Sequence, residues 1–319
     1  MLKNSKFLGV IYIFFAQVFF TTQDMIIKFI SNDFALHEIV LIRSSVGILF
    51  TLLVFMPLDG GYRQLFKKNI FLHILRGFGI VIANLCFFTS LITIPLGEAV
   101  AIFFIAPLII TALSVIIIGE KVELRSWMAV IIGFVGILII LRPGIGVFNY
   151  ASILPIIAAL AYSFVQILTR KMGEAEKASK MVFYIQLNLF FFSFMSGLLF
   201  GDGSLADPSK PTLYFLLRAW VVPSIKDFII MIFIGILSGL GAYCISQSYR
   251  ISKAGFIAPF EYAALPLSIF WSVIVFNEFP DFASWIGILL IVFSGLYVAY
   301  TENIEGRKND IYIPIPRNR

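Results

Sequence analysis

"SVIIIGEKVELRSW" at residues 114–127 and "SVIVFNEFPDFASW" at residues 272–285 share Ser, Val, Ile, Glu, Ser and Trp in register. The shift of 158 positions that aligns them also lays residues 77–138 over 235–296 without a gap. It adds the matches Gly77/Gly235, Cys86/Cys244, Ser90/Ser248, Gly97/Gly255, Ala106/Ala264 and Leu138/Leu296. The chain has only two Cys and four Trp, so a matched Cys pair and a matched Trp pair outweigh any apolar coincidence. The stretch is a duplication, and a repeat fixes the architecture before any motif is read. A weaker match at a shift of 142 joins Ala16/Ala158 and the basic pair Lys28/Arg170 in the earlier part of each copy.

The copied unit is not a soluble domain. Of 319 residues, 60% are hydrophobic and 13% charged, whereas soluble chains carry about 25% charged residues. Apolar runs long enough for a membrane helix recur from end to end. Ten spans are expected, at 7–30, 36–56, 70–92, 96–118, 125–141, 149–169, 181–200, 227–249, 254–277 and 282–300. Lipid cannot satisfy a free backbone amide, so these runs are read as helices. The long connection from 201 to 226 carries Pro208, Pro211 and Pro223, which argue against a further span. Its 213–220 part is expected to lie along the membrane surface.

Positive charge orders the topology. With the N-terminus inside, inner segments hold 18 of the 24 Lys and Arg residues and outer segments hold five, the bias expected of cytoplasmic loops. The net charge of +6 is thereby explained without a nucleic-acid partner. Both termini are expected in the cytoplasm. Each half then has five helices, and an odd number forces the second half to run opposite to the first, as in inverted-repeat transporters. The expected division is 1–145 for the first repeat, 146–302 for the second and 303–319 for a cytoplasmic tail. The fold class is thus all-α and polytopic, with ten transmembrane helices in two inverted repeats.

Two longer runs carry a family resemblance. "PLGEAVAIFFIAPLIITALSVIIIGEKV" (95–122), followed by "RSWMAVIIGFVGILIILRPG" (125–144), resembles the EamA domain of the drug/metabolite transporter superfamily. "APFEYAALPLSIFWSVIVFNEFPD" (258–281) resembles its counterpart in the second half. The resemblance implies a ten-helix transporter with a central cavity between two EamA halves, in a bacterial inner membrane. "QDMIIK" (23–28) together with the 258–281 run looks closest to metabolite carriers, among them S-adenosylmethionine and riboflavin importers. It supplies no substrate-contact motif, so candidate site residues rest on physical chemistry.

A charge in mid-bilayer costs about 2.5–3.5 kcal/mol on insertion scales and invites a functional reading. Asp24 and Lys28 lie one turn apart on the first span, and Arg43 sits on the second at the depth of Asp24. Asp24 is therefore expected to pair with Arg43, either as a fixed lock between helices or as a gate, while Lys28 reads as an interfacial anchor. Glu261, followed by Tyr262, sits about two turns from the inner end of span nine between Pro259 and Pro266. It is expected to bind a cation or a proton, or else to form a salt bridge with Arg76 or Arg250. Prolines free carbonyls and break helices, and broken helices often line transporter sites. Asn84, Gln166, Tyr243 and Gln247 are neutral polar groups within spans, read as interhelical glue or as substrate contacts. Glu120 and Glu278 are expected to set helix depth at opposite faces, and Gly235 and Gly239 to mark close helix packing.

The expected function is secondary transport of a small organic metabolite by alternating access, around a cavity lined by spans one, three, four, six, eight and nine. Uptake of riboflavin or S-adenosylmethionine is one form, and export of amino acids or related metabolites is the alternative. No GxxxxGK[ST] motif or clustered His, Cys or paired carboxylates support an ATP-driven machine, a metal site or an enzyme. Partners are thus a small-molecule substrate and the bilayer, with no cofactor; a homodimer is left open.

Overall fold

The computed structural model describes residues 2–66, 69–120, 122, 124–141, 150–173, 175–279, 281–283, 285–290, 292–294 and 297. Among these residues every regular element is helical. The first half contains α1 (Leu2–Ile30), α2 (Leu36–Phe50), a π-helical segment (Thr51–Phe55) and α3 (Met56–Leu58). It continues with α4 (Ile70–Ser90), α5 (Leu96–Phe103), α6 (Ala106–Leu113), a second π segment (Ser114–Ile118) and α7 (Leu124–Leu141). The second half contains α8 (Ile153–Met172), α9 (Ala178–Phe200), α10 (Pro211–Leu217) and α11 (Ile225–Ile251). It closes with α12 (Ala254–Ile257), a 3-10 segment (Ala258–Ala263) and α13 (Ala264–Phe276).

Among the described residues eight helices are long and apolar enough to cross a membrane: Phe7–Ile30, Leu36–Leu58, Ile70–Ser90, Ala99–Ile118, Ile153–Met172, Ala178–Phe200, Ile225–Ile251 and Ala254–Phe276. Expected spans five and ten correspond to shorter apolar helices, Trp127–Gly136 and Trp285–Ser294. Span six begins four residues later than its sequence boundary and span seven three residues earlier. The expected tail at 303–319, and Lys67, Lys68, Lys121 and Arg142 of the charge count, lie outside the described residues.

Two spans are broken where proline requires it. The fourth pauses at Phe104 and Ile105, immediately before α6 opens with Pro107 at its N-terminal turn. The ninth changes from α12 to a tighter 3-10 turn that starts beside Pro259 and carries Glu261. Proline lacks the amide proton that would continue the α ladder, so each break follows from the sequence.

Helix association inside lipid draws on close packing rather than on a hydrophobic force, and here it uses matched contacts. α1 packs on α11 and α4 on α8, while α2 packs on α9 and on α11, and α4 also packs on α9. Glycines set the closest approaches. A Cβ on Gly235 of α11 would stand 2.5 Å from Val46 Cβ of α2. A Cβ on Gly77 of α4 would stand 2.3 Å from the Asn188 side chain of α9. Gly77 and Gly235 are matched by the 158 shift, and Val46 and Asn188 by the 142 shift.

The 201–226 connection folds over the end of α1 instead of spanning. α10 occupies Pro211–Leu217, close to the stretch expected along the surface. Beyond it, Arg218 donates to the carbonyls of Asn32 at 2.6 Å and Ser31 at 3.1 Å. Burial lowers the Arg218 pKa from its ordinary value, against the pull of Tyr214, Asp33 and Glu38. The turn after α1 is thereby capped by a charged side chain from the second half.

Candidate functional site

The halves are joined by ion pairs at Lys28 and at Arg170. Lys28, near the end of α1, places Nζ 2.9 Å from Glu278 Oε1, just past the end of α13. Arg170, near the end of α8, places Nε 2.8 Å from Glu120 Oε1, just past the second π segment. Short connections make successive spans antiparallel, which puts the first pair on the face where α1 ends and the second on the opposite face. The glutamates are held by one local device. Gly119 (φ 75°) and Asn277 (φ 55°) take the left-handed conformation at the helix ends. Each following amide then donates back, Glu120 N to Ser114 O at 3.1 Å and Glu278 N to Ser272 O at 3.0 Å. Glycine and asparagine are the residues that enter this conformation most easily.

Lys28 is therefore no interfacial anchor; its ammonium is directed to a carboxylate of the other half and lies 4.6 Å above the Phe276 ring. Glu120 and Glu278 do more than set helix depth, since both are spent on these crossings. The signal was in the sequence: the 158 shift matches the two acids and the 142 shift matches the two bases.

Between the pairs lies a cavity of about 160 Å³. Spans one, three, four, six, eight and nine line it as expected, and spans two and seven join them through Arg43 and through Ile185, Gln186 and Leu189. Its wall is mainly apolar and aromatic with few charges, the composition of small-molecule sites. Those charges are Asp24, Arg43, Arg76 and Glu261.

Asp24 and Arg43 do not close into the expected ion pair. Arg43 Nη2 donates to Asn84 Oδ1 at 2.6 Å, and Asp24 Oδ1 accepts from Gln23 Nε2 at 3.2 Å. The competing acceptor is close because Asn84 is itself braced by its own turn, Nδ2 donating to Ile80 O at 3.1 Å. Three buried atoms among the cavity-lining residues have no hydrogen-bond partner among the described residues: Gln23 Oε1, Arg43 Nε and Gln186 Oε1.

Glu261 is 2% exposed and pairs with neither Arg76 nor Arg250. Its Oε1 accepts from Tyr162 at 3.1 Å and, in a short bond, from Tyr249. Arg76 is turned instead to Thr169 Oγ1 at 2.9 Å and to Met181 O at 3.2 Å. Arg250 donates to Glu176 O and Gln247 Oε1. Arg76 finds acceptors on α8 and α9, and Arg250 finds them on its own helix and on the turn between α8 and α9, which leaves the carboxylate to the phenols.

Of the remaining candidates, Asn84 and Gln166 line the cavity. Tyr262 stands behind the wall, edge-on to Phe104 with ring centroids 5.5 Å apart. Tyr243 and Gln247 belong to another network: Gln247 donates to the Tyr243 hydroxyl at 3.0 Å, and that hydroxyl to Asp59 at 3.2 Å. They tie α11 to the end of α3 rather than meeting the cavity. The Glu98 side chain lies outside the described residues. Sequence reasoning missed Gln17, Gln23 and Tyr162 as cavity residues. Asp24 and Gln166 correspond at the 142 shift, as do Phe20 and Tyr162, so extending the weaker match would have found Tyr162.

Comparison with known proteins agrees with this geometry. Residues 7–142 match the EamA-like transporter family. The chain is 27% identical over 312 residues to a riboflavin transporter of Vibrio cholerae, covering 96% of this chain and 98% of that one. It is 23% identical over 296 residues to an S-adenosylmethionine uptake transporter of Rickettsia prowazekii, covering 92% and 93%. A solved crystal structure superposes with a TM-score of 0.70 at 16% identity, over 94% of this chain and 97% of that one, which bears on the fold alone. Residues 7–142 thus match an EamA-like transporter domain, and over nearly its whole length the chain is similar to metabolite carriers of the drug/metabolite transporter superfamily.

Proposed function

We propose that the protein is a secondary transporter that takes up a small organic metabolite across a bacterial inner membrane by alternating access. Riboflavin and S-adenosylmethionine are the substrates named for its relatives. The reading treats the chain as two inverted five-helix halves with both termini in the cytoplasm.

The observation that carries it is the crossing of the ion pairs. Each basic residue of one half meets the glutamate of the other, at opposite ends of one cavity. A passage latched at both ends holds its contents occluded, and opening one latch at a time exposes the cavity to one side only. The matched packing of α1 on α11 and α4 on α8 supports rocking of one half against the other. Asp24, Arg43, Asn84, Gln166 and Glu261 are then the substrate-facing groups, with Lys28 a gate residue. Tyr243, Gln247 and Tyr262 support the helices that carry them.

Reconstitution tests the reading. Purified protein in liposomes should move riboflavin, S-adenosylmethionine or a related metabolite down an imposed gradient. Movement of none of a broad metabolite panel, in either direction, would overturn it.

A further inference from the structure

Two carboxylates face the cavity, and their surroundings differ. Asp24 shares its region with a guanidinium: Arg43 lines the same cavity and the two attract one another without closing to contact. Glu261 has no Lys or Arg within ion-pair distance among the described residues. Both of its hydrogen bonds come from neutral phenols and both fall on Oε1, while Oε2 accepts none from the described residues. A carboxylate so placed, out of water and without a counter-charge, costs several kcal/mol unless something positive reaches it.

What surrounds it is aromatic. Tyr162, whose hydroxyl bonds the carboxylate, is followed along the cavity wall by Phe103 at 5.2 Å between ring centroids and by Phe87 at 5.5 Å from Phe103. All three line the cavity with Glu261. The negative faces of such rings attract an organic cation, and the attraction grows when water is excluded. A carboxylate backed by ring faces suits a bulky, weakly hydrated positive group better than a metal ion, which would require several oxygen ligands. No group of three or more His, Cys, Asp or Glu able to hold a metal occurs among the described residues.

We propose that Glu261, with the rings of Tyr162, Phe103 and Phe87, forms a subsite for the positively charged head of an organic ammonium or sulfonium substrate. The hydroxyls of Tyr162 and Tyr249 fix one carboxylate oxygen and leave the other for the ligand. Gln23 Oε1, Arg43 Nε and Gln186 Oε1, elsewhere on the cavity wall, are spare groups for the polar remainder of the same molecule. The inference rests on the cavity being the substrate site. It also narrows the substrate class, because riboflavin carries no such cation whereas S-adenosylmethionine carries a sulfonium.

Binding of matched pairs by calorimetry to the purified full chain tests it without requiring transport. One pair is S-adenosylmethionine against S-adenosylhomocysteine, which lacks the sulfonium charge. The other is choline against its uncharged isostere 3,3-dimethylbutan-1-ol. In at least one pair the charged member should bind at least about tenfold tighter, and Glu261→Gln should reduce that preference to about twofold or less. Equal affinities in both pairs for the unsubstituted protein would overturn the subsite, as would a preference that survives in folded Glu261→Gln. If Glu261→Gln does not fold, Glu261→Asp keeps the charge and should keep the preference; loss of preference in that variant while folded counts against the subsite. Proteoliposomes separate the two failures. Riboflavin transport with no charged preference leaves the transporter standing and removes the subsite, whereas charged preference without transport does the reverse.

Discussion

Lys28 reaches across 250 residues of sequence to place its ammonium 2.9 Å from Glu278 Oε1 and 3.2 Å from Oε2. The pair is partly buried, with side chains 13% and 34% exposed, so solvent screens it only in part. Lys28→Glu should reduce the initial uptake rate at least about tenfold by setting two acids against each other. Lys28→Glu combined with Glu278→Lys should recover most of it. A double variant no faster than the single one would mean that the contact is not the functional unit.

The two latches should bias the molecule in opposite directions. Ala242 lines the cavity and is almost fully buried, so Ala242→Cys, with Cys86 and Cys244 changed to serine, reports which side the cavity faces. Lys28→Met should raise its labelling by a membrane-impermeant maleimide from the face where α1 ends, and Arg170→Met from the other. A two-state equilibrium shifts only by the energy that separates its states, and removing one latch changes that difference. The same labelling pattern in both variants would refute reciprocal latching.

Gly235 has no room for a side chain: a Cβ would lie 2.5 Å from Val46 Cβ and 2.9 Å from the Arg43 carbonyl oxygen. Gly235→Val should therefore push α11 from α2 and cost about 1–3 kcal/mol, read as a lower melting temperature in detergent. Gly60, where a Cβ would meet nothing within 4 Å, also has a positive φ of 104°. Substitution there tests backbone strain alone and serves as the contrast.

Asp24 lines the cavity and, among the described residues, bonds to Gln23, so Asp24→Asn preserves shape while removing the charge that faces Arg43. Transport should fall at least about tenfold with the folded yield unchanged. Loss of folded protein in place of lost transport would assign Asp24 to the scaffold.

Much of this arrangement was legible from residue identity alone. The 158 shift selected Glu120 and Glu278, and the 142 shift selected Lys28 and Arg170, because duplicated charges in apolar segments stand out. Pro107 and Pro259 marked the two broken spans, because proline inside an apolar run cannot continue the helical ladder. Partner choice was not legible. Arg43 could have met Asp24 or Asn84 at similar depth, and the difference rests on rotamers and helix rotation that no spacing rule contains. Tyr249 and Tyr162 as partners of Glu261 were hidden because tyrosines within spans usually read as packing, and only the fold brings α8 and α11 to the 3-10 turn.

The crossed latches also say something about descent. On the proposed two-repeat reading, a single five-helix ancestor would have needed only one basic residue at the end of its first helix and one glutamate after its fourth. Two copies inserted in opposing senses would then have closed both mouths of the passage with the same two side chains. On the same reading, fusion into one polypeptide would have freed the halves to diverge, and Glu261 stands on the cavity wall where the first copy has Phe103.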